Sequence, residues 1–344
     1  RAPGSFHWGS TLWHELSHVF VLAMTNHRVP RWFTEGMAVY EETAVSPEWG
    51  DRLGPEVLMA LKEKKLLPVA ALDRGFVRPS YPSQVVVSYF QAGRICDFIA
   101  EKWGYGKLLE MTGDFGLRKT TPQVIEERLG VKPEEFDKRF LAWVTAQTGK
   151  TVDGFESWRK GMKQLHEAAT AKKFDQVLRD GPALRDLYPD YVEAGSVYEA
   201  LAQAHLGAGD KPKAIAELEA YARAGGRSPH ALKQLASLQE EAGRKRDAAA
   251  TLNRLNYIAP AGDEELHRKM GELYLDTGDA PGAIREFSAA LASKPGDAAA
   301  AHFNLARACR AANQLDRAKE QVVLSLEAAP GYRAAQKLLL ELSK

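Results

Sequence analysis

A chain of 344 residues is longer than one hydrophobic core usually organises, which predicts two domains. Lys plus Arg (46) balances Asp plus Glu (45) and leaves a formal charge of +1, so neither a nucleic-acid backbone nor an anionic membrane is an expected partner. Two cysteines in different halves, Cys96 and Cys309, indicate neither a disulfide framework nor a cysteine metal site. The longest apolar run of the first half, VFVLAM (19–24), falls far short of the roughly 20 residues that cross a bilayer.

In chain order, the first signal is a helix. Ser10 or Thr11 caps a segment running to about Met24, in which Leu12, Leu16, Val19 and Ala23 recur at helical spacing. That stripe predicts the buried face and leaves His14, Glu15 and His18 turned towards a cleft. A second helix starts after Pro30 and carries WFTEGMAVYEE (32–42). A third spans Gln84 to Trp103 and stops at Gly104, with shorter helices from Lys107, from Pro122 to Leu129 and from Pro133 to Ala146. GKTVDG (149–154) reads as a linker or turn, dividing the chain into residues 1–150 and 155–344.

The second half is periodic. The turns GAGD (207–210), EAGR (241–244), DTGD (276–279) and AANQ (311–314) return every 34 to 35 residues, each followed by an alanine in one register: Ala214, Ala248, Ala283 and Ala318. Pro260, Pro295 and Pro330 close the units at the same interval. This pattern resembles the tetratricopeptide repeat, two antiparallel helices with small residues at their closest approach. Four units read clearly, a degenerate one (Trp158 to Pro189) precedes them, and Tyr332 to Lys344 has the character of a helix capping a solenoid. Such an array predicts a groove for a protein partner.

The chemistry lies in HELSH (14–18). On a helix, residues i and i+4 share a face, so His14 and His18 can reach one zinc ion, while Glu15 reaches a water beside the metal without being a ligand. A metzincin would continue with a glycine and a third histidine, where this chain has Val21 and Met24. Glu35, on the helix that returns after the loop at Asn26 to Pro30, is the expected third ligand, leaving the fourth position to water. Gly36 in mid-helix costs about 1 kcal/mol against Ala. Close approach of the two metal-sharing helices would account for it. His27 reads as a solvated loop residue, and Glu41 and Glu42 as partners of the ligand histidines or as a charged helix end.

HELSH followed by RWFTEGMAVY is similar to the gluzincin superfamily of zinc peptidases, in particular to bacterial families with HExxH and then W-[LF]-x-E-G-x-A-x-Y. YFQAGRICDFIAEKWG and ERLGVKPEEFDKRFLAWV also resemble the helices that follow the metal site in those families, so the likeness covers about residues 10–147. The resemblance implies one Zn²⁺ held by His14, His18 and Glu35, with Glu15 as general base of peptide hydrolysis. Tyr89, near the start of the third helix where related families often carry a tyrosine, becomes the candidate oxyanion donor, with Tyr40 and Tyr81 as alternatives. Gluzincins place a small sheet before the metal helix. Only RAPGSFHWGS precedes it here, so the expected fold is mostly α: the helical lobe of a truncated gluzincin-type domain, then the repeat solenoid. Chains of this kind are often exported, and the start at Arg1 points to a bacterial, extracytoplasmic location. The competing reading is a non-catalytic, zinc-binding scaffold built on a peptidase-like domain.

Overall fold

Local signals set most helix ends. The computed structural model describes residues 7–46, 48–50, 52–258 and 263–343, and among them it contains helices and no strand. The first helix, α1 (Trp8–Thr25), starts two to three residues before its expected cap. The cap is His7, whose Nδ1 accepts the Ser10 backbone N–H at 2.9 Å, a role that sequence reading assigns to hydroxyl side chains. Asn26, in the left-handed conformation, ends it. The next helix, α2 (Arg31–Val45), has no cap of its own, and the Trp32 N–H is met instead by Asp73 of a later helix at 2.8 Å.

Then come α3 (Pro55–Lys62), a 3₁₀ turn (Val69–Ala71), α4 (Asp73–Val77) and α5 (Gln84–Trp103). Gly104 at φ 90° stops α5 where the sequence predicts. After α6 (Tyr105–Gly116) and α7 (Thr121–Leu129) comes the longest element, α8 (Pro133–Thr170), followed by α9 (Phe174–Leu187), α10 (Val197–Gly207) and α11 (Lys211–Arg223).

These helices form one compact unit, His7–Gly226. At its centre α2 buries Trp32, Phe33 and Met37 among Ile95, Cys96, Ile99, Met111 and Phe115. The crossing of α2 and α5 explains Gly36. A Cβ there would lie 2.6 Å from the Ala92 carbonyl oxygen and 2.9 Å from Cys96 Sγ, and one on Gly93 would lie 2.6 Å from Val39 Cγ1. The close approach is therefore to α5 rather than to α1, which corrects the expectation that the shared metal demands it.

Two further expectations are overturned. Leu12, Val19 and Phe20 are each 61% exposed, and Leu16 and Ala23 also lie outward. The inward face of α1 is the polar one, with Ser10, Ser17, Val21 and Thr25 buried and His14 and His18 partly so. The histidines must meet Glu35 on α2, and that requirement, not the apolar stripe, sets the rotation of the helix.

The Gly149–Gly154 segment is no linker but mid-helix in α8. Each glycine costs roughly 1 kcal/mol there. Val144, Thr148, Phe155 and Trp158, buried along one face, offset that cost, and Gly154 gives Leu187 room, since a Cβ would come within 2.9 Å of it. Leu53, Val57, Leu58 and Phe90 share a core with Phe155, Trp158, Leu165, Tyr188 and Leu201. Residues on both sides of position 150 thus bury one apolar cluster.

From Arg227 on, helices alternate in antiparallel pairs: α12 (Pro229–Glu241) with α13 (Lys245–Asn253), α14 (Glu264–Asp276) with α15 (Ala280–Ala292), and α16 (Ala298–Ala311) with α17 (Leu315–Ala328), closed by α18 (Arg333–Leu342). The repeated turns have one mechanism. Gly243, Gly278 and Asn313, like Gly209 earlier, adopt positive φ between 56° and 83°, which glycine and asparagine tolerate best. Ala214, Ala248, Ala283 and Ala318 are all fully buried, as close helix packing demands. In α18, Ala335 and Leu338 pack on Ala306 and Val322. Pro260 lies outside the described residues.

Candidate metal centre

Helix α1 presents His14 and His18 one turn apart, with ring centroids 4.8 Å from each other. Helix α2 brings Glu35 between them. Its Oε2 lies 3.3 Å from His14 Nε2 and 3.3 Å from His18 Nε2. The three ligand atoms fall within 4.8 Å of one another. Tetrahedral ligands bound at 2.0 to 2.1 Å sit roughly 3.3 Å apart, so both nitrogen–oxygen distances fit a zinc ion.

The outer atoms of all three side chains are also held, each by a residue of α2. Glu42 Oε1 meets His14 Nδ1 at 2.8 Å and Thr34 Oγ1 meets His18 Nδ1 at 2.9 Å, which turns both Nε2 atoms inward. The Arg31 Nε–H donates to Glu35 Oε1 at 3.2 Å.

Two buried carboxylates, Glu35 and Glu42, thus face two imidazoles. Burial lowers the pKa of His14, but the hydrogen bonds and charges of Glu35 and Glu42 outweigh it and hold it up at about 10. Burial likewise raises Glu35, yet the two histidines hold its carboxyl far below the usual range. Both shifts have one cause: carboxylates and imidazoles in contact favour each other's charged forms.

Glu15 follows His14 about 100° around the helix, is exposed, and stands outside the three-residue cluster. Tyr89 on α5 stands beside that cluster, its ring 6.4 Å from that of His14 and edge-on to Phe76 at 5.1 Å. Burial and the charge of Glu35 push its phenol up, while Arg31 pulls it down, so it lies within reach of both. The alternatives lie elsewhere. Tyr40 stacks on Tyr105, and Tyr81 sits beneath Lys65. His27 is an exposed residue of the turn that ends α1, and Glu41 accepts from the Tyr105 hydroxyl. Arg31 and Thr34 escaped the sequence reading. The i,i+4 spacing of Arg31 to Glu35 was the available signal for the first, and nothing marked Thr34.

A description of the peptidase MA superfamily matches residues 2–146, and descriptions of the tetratricopeptide repeat match residues 199–263 and 274–342. A peptidase MA superfamily domain and tetratricopeptide repeats are therefore found in this chain. No curated protein matches it. Solved structures similar to it include YrrB, a TPR protein with an unusual peptide-binding site (16% identity, TM-score 0.38, covering 52% of this chain and 89% of that one). Two others are residues 41 to the end of MamA from Desulfovibrio magneticus RS-1 (20%, 0.35, 43% and 82%) and a thermophilic TPR protein of Thermus thermophilus (18%, 0.29, 54% and 98%).

Proposed function

We propose that this chain is a zinc-dependent peptidase whose repeats recruit a protein substrate or partner, with the chemistry assigned to residues 1–150 and recruitment to residues 155–344. The observation that carries the reading is the convergence of His14 and His18 on Glu35 Oε2, each at 3.3 Å, with the outer atoms of all three side chains already bound. His14, His18 and Glu35 would hold a zinc ion, which would supply Lewis acidity towards a carbonyl and a water. Glu15, exposed and outside the cluster, takes up a proton and returns it to the departing amine. Tyr89 donates a hydrogen bond from its hydroxyl, keeping its proton, to the oxygen on which charge develops. The match of residues 2–146 to a peptidase superfamily favours the peptide bond over other hydrolysable bonds.

The test separates the two carboxylates in the full chain. Glu35→Ala leaves two histidines, so zinc content after dialysis and hydrolysis of a quenched peptide library should fall together. Glu15→Gln touches no ligand atom. It should keep about one zinc while hydrolysis falls by roughly 10² to 10⁴. A Glu15→Gln protein that loses its zinc, or a Glu35→Ala protein that holds zinc like the parent, overturns the assignment of roles. A zinc-loaded parent that cleaves nothing in the library would leave the scaffold reading in its place.

A further inference from the structure

We infer that Arg31 is a positioning residue that makes Glu35 a one-oxygen ligand. The inference rests on the metal reading above and extends it to a residue with no place in the motif. Glu35 has two oxygens with different surroundings. Oε2 faces both Nε2 atoms at 3.3 Å, whereas Oε1 is turned away and takes the Arg31 Nε–H at 3.2 Å.

A carboxylate free to rotate can offer a metal both oxygens, which raises the coordination number and takes up the place a tetrahedral catalytic site leaves to water. Holding Oε1 on a charged donor, turned away from the histidines, disfavours that option.

Arg31 is itself held in place. Its guanidinium carbon lies 5.7 Å from the centre of the Phe76 ring, and it also engages Tyr89. Phe76 and Tyr89 pack edge to face at 5.1 Å, so the wall behind the arginine is an aromatic pair. The backbone contributes too: Arg31 opens α2, and Asp73 fixes the N–H of the next residue, Trp32. The side chain of Arg31 is about half exposed, so replacing it removes little core packing.

The experiment uses the full chain with Arg31→Met, which keeps the aliphatic stem, and Arg31→Lys, which keeps the charge. Zinc affinity is measured by chelator competition, and coordination by the visible absorption of the Co²⁺ form, intense for four ligands and weak for five or six. Circular dichroism checks the fold of each variant. Arg31→Met should bind zinc about 10- to 100-fold more weakly, the usual effect of losing such a partner, and its cobalt form should lose intensity. Arg31→Lys should recover part of both. Arg31→Met with the parent's affinity and spectrum overturns the inference, as does weaker binding with an unchanged spectrum, which would make Arg31 a support of the surrounding fold and not of the one-oxygen mode. Failure of the metal reading is distinguishable, because the parent chain would then bind no zinc or Glu35→Ala would bind it undiminished.

Discussion

Helix α1 and the helix pairs of the repeat array follow opposite rules. In the array, apolar and small residues point inward, with Ala283, Phe287, Leu305 and Ala318 buried together, and the His267–Glu286 pair is a buried exception. In α1 the polar face is turned to the neighbouring helix, and Leu12, Val19 and Phe20 lie in the open. Where packing is a segment's only task, hydrophobic periodicity reports the core. Where a segment must deliver ligand atoms to a shared point, the chemistry decides which face turns inward.

The largest expected stability effect tests the array side of this comparison. Phe287 is 1% exposed and fills the space left by Gly271, where a Cβ would come within 2.6 Å of the ring. Phe287→Ala should cost about 3 to 5 kcal/mol of array stability, read by urea unfolding of the full chain. A loss under about 1 kcal/mol would mean that this core can collapse around the gap.

Gly36→Ala tests the other side. Its new methyl would meet a backbone oxygen, which cannot swing away, so about 1 to 3 kcal/mol of destabilisation is expected. The zinc affinity of the folded protein should stay at the parent's value. A tenfold weaker affinity without loss of stability would restore the view that Gly36 serves the metal-bearing pair.

The smallest effect belongs to the outer face of α1. Leu12→Gln and Val19→Gln should each change unfolding free energy by no more than about 0.5 kcal/mol, as exposed positions do. A loss of about 2 kcal/mol or more from either would show that this face is covered in solution.

The His14, His18 and Glu35 cluster was legible in the sequence because it obeys short-range rules. HELSH fixes two of them within one turn, and Glu35 follows after a single short loop. The repeats were legible because a period survives through four units. What escaped reading depends on contacts far apart in the chain. The rotation of α1 is set by Glu35, the tolerance of Gly36 by Ala92, and the continuity of α8 through two glycines by Leu187 and the cluster around Trp158. Arg31 escaped because a guanidinium four residues before a carboxylate is common on helices, and only its contact with the outer oxygen sets it apart.

The unbroken α8 also bears on synthesis. The cluster that α8 joins draws Leu53, Val57 and Leu58 together with Tyr188, Val197 and Leu201, and the Tyr188 hydroxyl donates to the Leu53 carbonyl across 135 residues of chain. A ribosome adding roughly 5 to 20 residues per second needs on the order of 10 s to cover that interval. Throughout it the apolar side of α3 lacks Tyr188, Val197 and Leu201, so this second core stays incomplete after all residues of the core around α2 have been made. The three residues of the candidate metal cluster, all within residues 14–35, emerge long before that closure.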